Sequence, residues 1–190
     1  SGTQTFSGAA TANANLTLTS SGGDVTFGSS LDSFDTTARD VSITGANINL
    51  LAAGTTNNLG AMSLNSSGTT TLGGAVEAAS VTTNAGGTTA INGGSVTTTS
   101  TQSYGDNVTL GAASTLTGTD ISFSGTLNSS GSARNLTITN SGTATFSSTV
   151  GNSLGLGTLS VSGASALNGG SISSSGTQTF SGAATANANL

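Results

Sequence analysis

The chain has 190 residues, a net charge of −5 and small side chains, with 36 Thr, 33 Ser, 29 Gly and 17 Asn. The lack of His, Cys and Trp excludes His-based catalysis, thiolate chemistry, disulfides and Cys/His zinc sites. Arg39 and Arg134 are the only cations, so no surface can neutralise nucleic-acid phosphates, and no apolar run is long enough to span a membrane. Because a nearly uncharged chain without Pro or Lys is not typical of disorder, we predict ordered β structure.

Short apolar pairs with one residue between them recur along the chain. This spacing puts both side chains on one face of a strand and leaves Thr or Ser on the other face. Helical periodicity is absent, so the pairs predict short β-strands. In chain order the pairs are Leu16/Leu18, Val25/Phe27, Val41/Ile43, Met62/Leu64, Ile121/Phe123, Leu136/Ile138 and Leu159/Val161.

The strands recur in units of similar length, which predicts an all-β fold, a parallel β-solenoid. The units begin at Leu16, Val41, Met62, Val81, Val96, Leu116, Leu136, Leu159 and Ile172. They give about nine coils of ~19 residues per 174-residue repeat, each coil pairing its backbone with the next. We expect one or both members of the pairs that begin at Leu16, Val41, Met62, Leu136 and Leu159 to face inward and stack coil on coil. An antiparallel sandwich is the alternative, although it would need longer strands.

The two ends of the sequence carry the same sixteen letters. Residues 1–16 and 175–190 both read SGTQTFSGAATANANL, and a weaker copy begins at Thr101. We therefore predict that residues 1–174 are one full period of a tandem array, that residues 175–190 start the next repeat, and that the whole is a single continuous solenoid. Nine coils rising about 4.8 Å each would then relate the two ends by a translation of about 43 Å along the axis.

One local charge cluster, in residues 31–40, contains Asp32, Asp35, Arg39 and Asp40. Paired carboxylates can bind Ca²⁺ or perform acid–base chemistry. The spacing from Leu16 to Val41 exceeds the mean coil and favours a solvated loop instead. Asp32, Asp35 and Asp40 are thus weak metal candidates, and we identify no catalytic or cofactor-binding residue and expect no cofactor.

Two alternative functions follow from the same pattern. Thr-x-Thr triplets such as Thr115/Thr117 and Thr137/Thr139 could form an ice-binding face, although they do not recur at one fixed spacing. A carbohydrate-active β-helix would need clustered carboxylates with cations or aromatic platforms, which two Arg, one Tyr and no Trp do not supply. We expect no enzymatic activity.

The repeat pattern resembles that of a known family. Residues 3–27, the segment GGTTAINGGSVTTTSTQSYGDNVTLGA (residues 86–112) and the run NLTITNSGTATFSSTVG (residues 135–151) resemble repeats of filamentous haemagglutinin-like proteins, large bacterial adhesins of the two-partner secretion type. The resemblance implies a right-handed parallel β-helix, secreted and displayed at the bacterial cell surface. We expect a structural rod or fibre segment of such an adhesin. Its partners would be further copies of the repeat, joined covalently or end to end, with lateral fibre contacts, without nucleic acid or a membrane span.

Overall fold

A computed structural model describes residues 2–187 and confirms an all-β, parallel β-solenoid of about nine turns, without a helix in that range. The described residues form twenty-two strands. They are β1 (Gln4–Phe6), β2 (Ala10–Ala12), β3 (Leu16–Thr19), β4 (Val25–Ser33), β5 (Val41–Gly45), β6 (Ile48–Ala53), β7 (Leu59–Ser66), β8 (Thr69–Leu72), β9 (Val76–Thr83), β10 (Thr88–Ile91), β11 (Ser95–Thr98), β12 (Gln102–Tyr104), β13 (Asn107–Leu110), β14 (Ser114–Gly118), β15 (Ile121–Phe123), β16 (Leu127–Ser129), β17 (Leu136–Asn140), β18 (Thr143–Phe146), β19 (Leu159–Val161), β20 (Ala164–Leu167), β21 (Gln178–Phe180) and β22 (Ala184–Ala186).

The strands form three ladders of parallel pairs, which we call faces 1, 2 and 3. Face 1 begins with β1 and continues through the first part of β4, face 2 begins with β2 and continues through the second part of β4, and face 3 begins with β3 and continues through β5. The chain visits the three faces in this order in each coil. Long strands such as β4 turn a corner, where the register shifts between Phe27 and Ser30.

The coils differ in length because their corners differ. Along face 1, the inward positions Thr70, Thr89, Val108 and Leu127 follow each other at intervals of 19 residues. Other coils are longer, and the mean spacing is about 21 residues rather than the expected 19. The extra residues lie in corner loops such as residues 34–40, outside the ladders, so they do not disturb the pairing of the strands.

Alternating side chains build the core. In β17, Leu136 and Ile138 are fully buried whereas Thr137 and Thr139 are exposed. The same alternation recurs on all three faces, and aromatic rings stack between coils, with Tyr104 on Phe123 at a centroid distance of 5.2 Å. Burial of these apolar side chains is the main stabilising contribution, at about 25 cal/mol per Å².

The predicted stacking of one apolar column is correct in part. Leu16, Val41 and Met62 are stacked on face 3, as expected. Leu136 and Leu159 also stack on each other, but they lie on face 2. A single column through all five residues is therefore wrong, because alternation along a strand distinguishes inside from outside but does not distinguish one face from another.

The identical end segments also lie on different faces. Residues 4–6 belong to face 1 and residues 178–180 to face 2, while residues 10–12 belong to face 2 and residues 184–186 to face 3. The expected translation along the axis is therefore wrong, since the second segment has advanced by one face. Residue 1 and residues 188–190 of the two segments lie outside the described residues.

Candidate functional site

Two of the three metal candidates serve as hydrogen-bond acceptors between coils. Asp32 is almost fully buried, and its Oδ1 accepts a hydrogen bond from the Thr56 backbone N–H at 2.9 Å. Asp40 Oδ1 accepts one from the Ala61 N–H at 2.8 Å. Each carboxylate therefore satisfies a backbone donor of the following coil.

The third candidate, Asp35, lies exposed at the corner between faces 2 and 3. Its Oδ1 accepts a hydrogen bond from the Thr37 N–H at 2.8 Å, and Arg39 Nη2 lies 3.4 Å from the same oxygen. The Thr37 hydrogen bond, with a smaller attraction from Arg39, lowers the pKa of Asp35. An exposed ion pair of this kind contributes little to stability.

The structure does not bring Asp32, Asp35 and Asp40 together into a metal site. Within residues 2–187, no group of three or more Asp or Glu side chains is arranged to hold a metal ion. The loop from Phe34 to Asp40 is instead an enlarged corner between two strands.

A recurrent contact that the sequence analysis missed joins an Asp or Asn to a Gly in the next coil. Asp120 Oδ1 accepts a hydrogen bond from the Thr143 N–H at 2.7 Å, and it lies where a Cβ on Gly142 would stand. We call this contact the Asx–Gly cap. The same contact recurs in three further pairs of coils, from Asn47 to Gly68 and Thr69, from Asn107 to Gly125 and Thr126, and from Asn135 to Gly157 and Thr158. Its sequence signal is an Asx directly before a strand and a Gly-Thr pair one coil later.

A second missed feature is a polar network inside the solenoid. Gln102 is buried, and its Nε2 donates hydrogen bonds to the carbonyl oxygens of Val96 at 3.0 Å and Thr117 at 2.8 Å. Its Oε1 accepts a hydrogen bond from the Tyr104 hydroxyl at 2.9 Å. Burial raises the pKa of Tyr104, so this hydroxyl stays protonated and donates. The network is structural, since both side chains are fully enclosed.

Rows of hydroxyl groups cover part of the outer surface of face 2. Thr115 pairs with Thr137 and Thr117 with Thr139, although 22 residues separate the two members of each pair. Thr97 pairs with Thr117 in the preceding coil. Neighbouring strands lie about 4.8 Å apart and alternate residues along a strand about 6.8 Å apart. The uneven spacing in the sequence thus becomes a regular grid, because the corners absorb the difference.

An apolar recess lies at the corner between faces 1 and 2. It is lined by Phe27, Gly28, Leu50, Leu51 and Gly73, among other residues. Leu51 is 52% exposed. The lining contains no Asp, Glu or Arg, so the recess offers no group for acid–base chemistry or metal binding.

Comparison of the chain with protein-family models, with curated proteins and with solved structures finds no match. The fold therefore defines the class, a β-solenoid repeat protein. No helix among residues 2–187 is long and apolar enough to cross a membrane.

Proposed function

We propose that the chain is a structural rod segment of a large filamentous adhesin, exported and displayed at the bacterial surface, without enzymatic activity. The observation that carries the proposal is the continuity of the three parallel ladders. On face 1 the pairing runs from Gln4 to Ile172, and every coil between them is hydrogen-bonded on both sides. Length in such a fold grows by one strand spacing, about 4.8 Å, with each coil.

The interior and the corners of the solenoid both support a stiff rod. Apolar ladders exclude water along the axis, and the Asx–Gly caps tie the backbone of one coil to the side chains of another. The two copies of the Gln-Thr-Phe strand, residues 4–6 and 178–180, provide the same edge at two places in the chain, which suits a tandem array. An outer surface rich in Ser and Thr, with a net charge of only −5, allows lateral contacts without strong repulsion.

The test is the scaling of length with repeat number. Chains of one, two, four and six repeats, joined through the shared sixteen residues, should form single rods in electron micrographs. Each added repeat should lengthen the rod by about 40 Å, because a repeat contains a little more than eight coils. Beads of separate globules, or a length that does not rise linearly, would contradict the proposal. A chain of scrambled repeats with the same composition is the control.

The hydroxyl grid on face 2 favours ice binding as a second candidate. Two ranks of Thr, at Thr115/Thr137 and Thr117/Thr139, present hydroxyl and methyl groups at regular spacing. The test is thermal hysteresis of the purified chain. If the grid binds ice, Thr137→Tyr should abolish the hysteresis, whereas Thr109→Tyr on face 1 should not. Absence of hysteresis in the unaltered chain would exclude this candidate.

A further inference from the structure

One short sequence occurs three times in the chain and lies on a different face each time. It reads Thr-Gln, then Thr or Ser, then Phe or Tyr, at residues 3–6, 101–104 and 177–180. Its strand pairs with Val25–Phe27 on face 1 in the first copy, with Ile121–Phe123 on face 3 in the second, and with Leu159–Val161 on face 2 in the third. The same segment thus fits all three faces.

The surroundings of the Gln are the same on two different faces. Gln102 Nε2, on face 3, donates to the carbonyl six residues before it at 3.0 Å and contacts the Thr98 hydroxyl, four residues before it, at 3.4 Å. Gln178 Nε2, on face 2, donates to the Ile172 carbonyl and the Ser174 hydroxyl, again six and four residues earlier, at 3.3 and 3.0 Å. The sequence therefore specifies a corner followed by a strand, and not a particular face.

The preceding corners are equivalent as well. The sequence Asn-Gly-Gly-Ser occurs at residues 92–95, between faces 1 and 2, and at residues 168–171, between faces 3 and 1. Gly94 and Gly170 have φ values of +79° and +73°, a conformation that favours glycine. One local sequence thus makes the same turn at two corners of the solenoid.

The pairings give the number of coils in one period. From Gln4, eight successive steps along face 1 end at Ile172, and the equivalent Gln178 lies one face further along the chain. A period of 174 residues therefore contains eight coils and one additional face. Two copies related by this period cannot be superposed by a translation alone.

We propose that the open edge of β21 and β22 receives a second copy of this repeat, turned by one face about the solenoid axis. The inference rests on the tandem array of the proposed function and deepens it. The template is the pairing of the identical residues at the other end, where Gln4 pairs with Val25 and Phe6 with Phe27. Residues 178–180 should pair in the same way with Val25–Phe27 of the second copy, which places that strand on face 2.

The second strand of the edge gives the same answer. Residues 10–12 pair with Leu31–Ser33 on face 2, and the identical residues 184–186 lie on face 3. Both strands of the edge thus require the same turn by one face. Copies stacked without a turn would place Val25 over Ile172, and the aromatic pair of Phe6 with Phe27, 4.6 Å between centroids, would have no counterpart at the junction.

A turn of one face per repeat, roughly 120° in a three-sided coil, determines how an array displays its surface. Any surface feature, such as the exposed corner loop that contains Phe34 and Thr36, would appear on the three corners in succession. It would advance by about 40 Å per repeat and return to the same side after about 120 Å. The array therefore presents identical sites in three directions, which lets one filament contact neighbours on all sides.

Disulfide trapping in a two-copy chain tests the turn, and the absence of Cys makes the background clean. Thr5 and Thr26 are direct partners, and paired positions about 4.8 Å apart are compatible with a disulfide. We expect Thr179→Cys in the first copy to form a disulfide with Thr26→Cys in the second copy. Ser173→Cys with the same Thr26→Cys tests stacking without a turn. Thr5→Cys with Thr26→Cys in the first copy is the positive control.

The outcomes separate the turn from the rod itself. A disulfide from Thr179 alone supports the turn; a disulfide from Ser173, or none from either while the positive control oxidises, overturns it. Small-angle scattering on the same chain measures its length, and a chain that is not one rod would contradict the proposed function as well. In a six-copy chain with gold labels on Thr36→Cys, labels should return to the same edge every 120 Å or so; a single row at about 40 Å intervals would overturn the turn alone.

Discussion

Asp120 and Gly142 lie in adjacent coils, with Asp120 Oδ1 in the space that a side chain on Gly142 would occupy. The oxygen accepts a hydrogen bond from the N–H of Thr143 at 2.7 Å. The absent side chain and the hydrogen bond depend on each other, because the carboxylate reaches the N–H only by passing over the glycine. The same relationship recurs at other corners, so it is part of how this sequence holds its coils in register.

Asp120→Ala tests the Asx–Gly cap directly. The substitution removes the acceptor of the Thr143 N–H, and we expect a loss of about 1 kcal/mol in the free energy of unfolding. Asp120→Asn retains an Oδ1 in the same place and should lose much less, as the natural Asn135 cap on Thr158 indicates. Urea denaturation followed by circular dichroism measures both variants. Equal losses for Ala and Asn would show that charge rather than the cap matters.

Gly142→Ala should destabilise the chain because the new Cβ displaces Asp120 Oδ1. We expect a loss of about 1–3 kcal/mol, and a smaller loss in the Asp120→Ala background, where the oxygen is already absent. Gly8→Ala is the control, because a Cβ there meets no atom within 4 Å. Additive losses in the double variant would refute the direct contact between the two residues.

Ile138 is fully buried on face 2, and its neighbour Thr139 points outward. Ile138→Asp would place an unpaired charge in the apolar interior and should cost several kcal/mol. Thr139→Asp keeps the same added charge at the surface and should change stability by less than about 0.5 kcal/mol. Thermal melts of the two variants compare inside with outside. Similar melting temperatures would mean that the alternation has been assigned to the wrong side.

Gln102 and Gln178 make the same contacts, but Gln102 is buried and Gln178 is exposed. Gln102→Met would leave the buried Tyr104 hydroxyl without its acceptor and should cost about 1–3 kcal/mol. Gln178→Met removes the equivalent donor where water can replace it, so its effect should be much smaller. Chemical denaturation of the two variants measures the difference. A larger loss at Gln178 would contradict the buried network.

Asp35 should titrate below the usual aspartate pKa, because the Thr37 N–H donates to its carboxylate. A lowered pKa in the folded state means that the carboxylate contributes stability above its unfolded pKa and loses it as pH falls through the folded pKa. NMR titration of the Asp35 carboxyl carbon gives the midpoint. Arg39→Gln should retain most of the shift, since Arg39 is a smaller cause than Thr37. A midpoint at or above the usual value would refute the hydrogen bond.

Local patterns in the sequence predict which side of a strand is buried. The spacing of Leu136 and Ile138 is sufficient for this, because in an extended strand alternate side chains point the same way. The candidate acidic site was less predictable. Asp32, Asp35 and Asp40 are close in sequence, but whether they meet in space depends on where the next coil passes, and that coil takes up Asp32 and Asp40 as acceptors for its own N–H groups.

The sequence by itself determined an all-β chain, parallel coils, about nine turns and the inward side of each strand, because these features depend on alternation and on recurrence at short range. Only the tertiary structure decided which strands share a face. Corners absorb from zero to four additional residues per coil, so equal spacing in the sequence does not mean an equal position around the axis. Since the three corners accept the same sequences, the face of a strand such as Gln178–Phe180 is set by the accumulated length of all the coils before it.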